Sequence, residues 1–164
     1  MTSKSKDERK HIGYLGECIV QLELAYERLI IDSTGEGMVF DFIASNGATL
    51  EIKTSRPRIN KKIVVLNKSG EKGKYEYKNW KFRISPEQNH IDFYVLVALN
   101  DDKEYLCSFI IPNGERTGAE LIVISENALK GIYKTRHSSQ IKLRPSKWDR
   151  YKNNWKSILN YRKD

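Results

Sequence analysis

Glu51, Ile52 and Lys53 form a Glu-x-Lys run within an apolar stretch. Side chains alternate along a strand, so Glu51 and Lys53 share one face while Ile52 enters a core. A second strand candidate, residues 39–44, carries Asp41 and lies just upstream across the link 45–47. With a three-residue link, Ala44 pairs with Ala48 and Asp41 falls opposite Glu51. That hairpin ends on a residue that tolerates positive φ, and Gly47 stands there. A two-residue Asn46-Gly47 turn would instead set Asp41 against Ile52, on the wrong face. The three-residue form is the expectation. Carboxylates directly opposite on one face repel each other unless a cation lies between them. A hard divalent ion such as Mg²⁺ takes carboxylate oxygens and keeps waters for substrate phosphates. Lys53 beside it can orient a water or neutralise charge developing on a phosphate. The constellation points to metal-assisted phosphodiester hydrolysis.

Gly16-Glu17, then Phe40-Asp41-Phe42-Ile43, then Leu50-Glu51-Ile52-Lys53-Thr54-Ser55 resembles the PD-(D/E)XK nuclease superfamily. Within it the chain is similar to small bacterial and phage endonucleases related to intron-associated enzymes and Holliday-junction resolvases. Phe40 stands where the motif's Pro would be, a departure shared by many members. The resemblance implies a Mg²⁺-dependent endodeoxyribonuclease, with Mn²⁺ as an alternative ion. Asp41, Glu51 and the Ile52 carbonyl would hold the metal, and Lys53 would activate the attacking water. Glu17 would be an outer or second-metal ligand, and Thr54 and Ser55 would serve nearby phosphate or supporting contacts. A Holliday-junction resolvase or an RNA-directed nuclease is the alternative within this class. A non-catalytic nucleic-acid-binding protein on a nuclease fold is the alternative outside it.

Charge supports a polyanionic partner. The 164 residues carry a net charge of +8. Residues 53–83 hold 11 basic and 2 acidic side chains, and so do residues 130–164, leaving the rest at −10. This segregation suits a DNA-facing surface better than general solubility. Tyr75, Tyr77, Trp80 and Phe82 alternate with Lys74, Lys78, Lys81 and Arg83. Trp80 and Phe82 are expected in the core, leaving Lys74, Lys78 and Lys81 as nucleic-acid contacts. Lys152 and Lys156 are the matching candidates near the C-terminus. A duplex has two strands, so a homodimer presenting one site to each is expected.

The positioning elements follow from periodicity. Residues 10–29 read as a helix with an apolar stripe of Ile12, Leu15, Ile19, Leu22 and Tyr26. Glu17 on that helix borders Val20 and Leu24, facing either solvent or the core edge. Pro57 should interrupt pairing after the Glu51 strand. Residues 63–66 make a short strand and 68–74 a loop. Residues 92–99 read as a strand buried on both faces, 100–103 as a turn with Asp101 and Asp102, and 105–111 as the returning strand. Residues 121–124 form another strand, and Ser125 caps a brief helix ending near Gly131. Residues 145–162 read as a helix with Trp148, Tyr151, Trp155, Ile158 and Leu159 on one stripe. The expected fold is α/β: a single domain over residues 1–164, with a restriction-endonuclease-like mixed central sheet flanked by helices. No apolar run is long enough to cross a bilayer, and residues 1–10 contain no signal core. Cys18 and Cys107 read as reduced core residues of a cytoplasmic protein.

Overall fold

The structure is a computed structural model that describes residues 3–35, 40–66, 68–84, 90–115, 120–131 and 146–163. Val39, residues 85–86 and residues 132–145 of the second basic block lie outside the described residues. Helix α1 (Ser3–Tyr26) opens the chain, followed by strands β1 (Ile31–Ser33), β2 (Phe42–Ala44) and β3 (Thr49–Ser55). Strands β4 (Arg58–Val65) and β5 (Lys72–Arg83) form a long ribbon. Then come β6 (Phe93–Leu99), β7 (Tyr105–Pro112), β8 (Leu121–Ser125) and the short helices α2 (Glu126–Leu129) and α3 (Lys156–Leu159). The class is α/β, as expected.

The central sheet is mixed and runs β1-β2-β3-β6-β7. Only β3 and β6 are parallel within it. Parallel neighbours need a long crossover, usually a helix. Here the β4–β5 ribbon occupies that connection and contributes to a separate sheet, β4-β5-β8. Every residue of β6 is buried, which explains its unbroken apolar run. One face of the central sheet joins Leu50, Ile52, Val95 and Val97 to Val20 and Leu24 of α1. The other joins Tyr94, Leu96 and Ala98 to Trp80 and Phe82 of β5 and to Ile122 and Ile124 of β8.

Helix α1 starts earlier and turns a different face inward than its apolar stripe suggests. Leu22 and Tyr26 are exposed, whereas Ile12, Gly16, Val20 and Leu24 are buried. The buried row steps by four, so those residues lie one above another. Burying Val20 and Leu24 stabilises the packing by ~1.5–3 kcal/mol each. Gly16 permits the approach, because a Cβ there would lie 1.8 Å from Thr54 Oγ1.

The C-terminal segment is not one helix. A 3₁₀ turn at Asp149–Tyr151 and the single turn of α3 flank Asn153, which has φ 50°. A regular helix cannot pass through that left-handed residue. Asn153 Oδ1 accepts from Ser108 N at 2.9 Å, and Asn153 N donates to Ser108 O at 2.7 Å. The segment is thus tied to β7, with Trp148, Tyr151, Trp155 and Ile158 buried. Ser146 Oγ accepts from Trp148 N at 3.1 Å, closing a local turn ahead of the 3₁₀ turn. The Ser125 cap also forms, accepting from Ala128 N at 3.2 Å. Among the described residues no helix is long and apolar enough to cross a membrane.

Candidate active site

The hairpin takes the three-residue link. Phe42 pairs with Leu50 and Ile43 with Thr49. Ala44 N donates to Ala48 O at 2.8 Å, and Gly47 has φ 86°. The ladder then changes at Asp41, whose own N–H also reaches Leu50 O at 2.9 Å. Two successive residues thus face one, as in a β-bulge, a device that re-aims a side chain. Asp41 Oδ2 accepts from Ile52 N at 2.7 Å. Asp41 therefore caps the edge of β3 instead of standing squarely across from Glu51. Its carbonyl is held from the other side by Thr34 N at 3.2 Å, just after β1. Strand β1 leaves no mark in the sequence because its span is three residues, Ile31–Ser33, too short for a periodic signal.

Glu51 and Lys53 do share a face, and Lys53 Nζ is bonded to Glu51 Oε1. That face is not solvated at Glu51, which is 5% exposed. Burial pushes the Glu51 carboxyl above its ordinary range. The Lys53 ammonium opposes this rise, while Asp41 and then Glu17 add to it. Glu17 is also raised, first by burial and then by Asp41. Asp41 is thus the shared electrostatic neighbour of two crowded carboxylates. Among the described residues no three His, Cys, Asp or Glu side chains converge into a ready-made metal cage. The donor set still suits Mg²⁺, which is bound through one or two carboxylates and retains several waters. Crowded carboxylates with raised proton affinity are a site that a cation would relieve.

Glu17, Asp41 and Lys53 border a cleft of about 770 Å³, whereas the buried Glu51 is not among its lining residues. Glu17, Asp41, Ile52, Lys53, Thr54 and Ser55 line it together with Arg9, Arg56, Arg58, Lys81 and Asp101. Of the candidates in the Glu-x-Lys region, Asp41, Ile52, Lys53, Thr54 and Ser55 meet in the cleft wall, and Glu51 joins them through its bond to Lys53. Thr54 Oγ1 is buried without a hydrogen-bond partner, packed against Gly16. Ser55 Oγ accepts from Lys81 N at 3.2 Å and so links β3 to β5. The Ser55 hydroxyl therefore ties two strands together beside the cleft, whereas the Thr54 hydroxyl only packs against α1. Asp101, read as a turn residue, lies both in its turn and in the cleft wall, and pairs with Lys78. Arg9 and Arg58 lack any local motif that would single them out.

The distal candidates fare unevenly. Lys81 lines the cleft. Lys78 is engaged by Asp101, and Lys152 Nζ donates to Leu129 O at 2.7 Å. Lys152 is thereby an internal tie between the C-terminal segment and α2. Lys74 and Lys156 are exposed and are not among the residues lining the cleft. Compared with protein-family models and with curated proteins, the chain matches none, and the site is read from its own residues.

Proposed function

We propose that this protein is a divalent-metal-dependent endodeoxyribonuclease. The observation that carries the reading is that one hairpin sets Asp41 and Lys53 in the wall of a cleft that also holds Arg9, Arg56, Arg58 and Lys81, with the buried Glu51 bonded to Lys53. Asp41 and Glu51 would hold a Mg²⁺ or Mn²⁺ ion, with the Ile52 carbonyl and Glu17 as further ligands. When bound, the ion supplies Lewis acidity at a phosphate oxygen and lowers the pKa of a water. Arg58 and Lys81, joined by Arg56 once it leaves its 2.8 Å ion pair with Glu8, would hold the phosphates on either side of the scissile bond. Lys53, freed from Glu51, would orient the attacking water and shield the developing charge. Asp41 keeps its position through the Ile52 N–H and the Thr34 contact, so little reorganisation is needed there.

A two-fold homodimer would present one such cleft to each strand of a duplex. A cytoplasmic setting fits Cys18 and Cys107, both free thiols. The test is incubation with duplex, junction, single-stranded and RNA substrates, with Mg²⁺ or with EDTA. The reading predicts Mg²⁺-dependent DNA cleavage that EDTA abolishes. Cleavage of RNA alone, or none of any substrate, would contradict it.

A further inference from the structure

The β4–β5 ribbon has two chemically different faces. Beyond Asn79 it pairs with no third strand among the described residues, because β8 covers only Asn79–Arg83 of β5. Directly paired residues share a face, so the register sorts the side chains. On one face Ile59, Ile63 and Val65 mix with Lys61, Lys74 and Glu76, and Lys61 pairs with Glu76 at 3.2 Å. On the other, Lys62 stands opposite Tyr75, Asn60 opposite Tyr77 and Arg58 opposite Asn79. Lys81 continues that second face along β5, two residues beyond Asn79. Arg58 and Lys81 also line the cleft, so the second face runs into it. No carboxylate lies on it among residues 58–64 and 73–83.

We infer that this face is a stacking track that feeds an unpaired nucleic-acid strand into the cleft. The inference rests on the reading of the cleft as a nucleic-acid site. Tyr75 and Tyr77 are 55% and 38% exposed, with centroids 6.1 Å apart and planes inclined by 18°. Two near-parallel exposed rings offer π-faces to successive bases, and flanking cations follow the backbone. In a duplex those base faces are hidden in the stack and only edges reach a groove. The two amides of this face are not free to read a groove, since Asn79 is buried and Asn60 Nδ2 donates to Arg58 O at 3.2 Å, which leaves the rings and the cations. The preferred substrate would then carry unpaired nucleotides beside the scissile phosphate. Lys74, on the opposite face, is not part of the track.

Fluorescence anisotropy in EDTA tests this without cleavage. The probes are a blunt DNA duplex and the same duplex with one end splayed into unpaired arms. The track predicts tighter binding of the splayed probe. Tyr75→Ala with Tyr77→Ala should weaken that binding at least about tenfold and leave the blunt duplex nearly unchanged. Tyr75→Phe with Tyr77→Phe should retain it, because the rings and not the hydroxyls are used. Abasic arms should reproduce the loss with the unaltered protein, which covers the case in which the double Ala variant misfolds. Equal loss on both probes, no loss on either, or no preference for the splayed probe would overturn the inference. Because binding is read without metal, these outcomes are separate from failure to cleave.

Discussion

Asp41 Oδ2 takes the Ile52 backbone N–H at 2.7 Å, a donor that strand β2, beginning only at Phe42, does not reach. The carboxylate is therefore fixed by the edge of the very strand that carries Glu51 and Lys53. This couples a structural bond to the proposed chemistry, and substitutions at Asp41 must separate the two. Asp41→Asn keeps an acceptor oxygen for Ile52 N, whereas Asp41→Ala leaves that N–H bare and costs ~1–3 kcal/mol if it is sequestered. We expect both to lose cleavage by at least about a hundredfold. Only Asp41→Ala should also melt measurably lower. Lys53→Met should match the kinetic loss. Gel-based single-turnover rates and melting curves on the same preparations check this. Near-native rates in Asp41→Asn would remove the carboxylate from the mechanism.

Metal binding has a readout independent of turnover. Mg²⁺ bound only by the folded protein raises stability, by ~2.7 kcal/mol at a concentration of about 100 Kd. The wild-type melting temperature should climb with added Mg²⁺, and that of Asp41→Asn should not. Without metal, Asp41→Asn should melt at or above the wild type, because it lifts repulsion felt by Glu17 and Glu51. Equal Mg²⁺ responses in both proteins would place the ion elsewhere.

Two glycines of α1 should respond in opposite directions to the same change. A Cβ added to Gly13 would meet nothing within 4 Å, so Gly13→Ala should stabilise by ~0.5–1 kcal/mol through helix propensity. At Gly16 the added methyl meets Thr54 Oγ1, so Gly16→Ala should destabilise by ~1–3 kcal/mol. It should also lower activity, by lifting Glu17 away from the strands. Urea unfolding of the two variants decides this. A gain in stability at Gly16 would mean that α1 does not press on β3 as described.

Asp92 gives a pH signature away from the site. It accepts from Thr49 N and Oγ1, each at 2.9 Å, and from Tyr161 Oη at 2.7 Å. Burial alone would raise its pKa, but these bonds and Lys163 outweigh it and the net shift is downward. A depressed acid contributes stability above its unfolded value, about 3.9, and loses it as pH falls through the folded one. Asp92→Asn should thus cost ~1–3 kcal/mol at pH 7. The deficit should shrink from about pH 4 downward. Urea midpoints at pH 7 and pH 3 test this, and a deficit that grows in acid would contradict it.

The hairpin is legible in the sequence because turn length and side-chain alternation jointly constrain it, and Gly47 adopts the positive φ that the turn requires. β6 is legible because its burial on both faces leaves an unbroken apolar run. The inner face of α1 is not, since Gly16 sits in the buried row and contributes no hydrophobic signal. The C-terminal aromatics mimic a helical period although Asn153 breaks the chain between Tyr151 and Trp155. The ribbon is hidden because exposed Lys-rich strands lack the alternation that burial imposes. At the site, the residue types and their spacing are legible, but the bulge at Asp41 and the burial of Glu51 are not. The first shows only in how Asp41 is bonded to Leu50, Ile52 and Thr34, and the second in the pairing of Glu51 with Tyr94, on the sheet face that packs against Trp80 and Phe82.

Supercoiled plasmid incubated with purified protein, in Mg²⁺ and in EDTA, tests the central claim most directly. The proposal predicts conversion to linear DNA in Mg²⁺, none in EDTA, and none by Asp41→Asn in either. Nicked circles alone would retain the chemistry but contradict the paired sites of a dimer. Intact plasmid and intact splayed duplex in Mg²⁺ with folded protein, or equal cutting by Asp41→Asn, would contradict the nuclease assignment at this cleft.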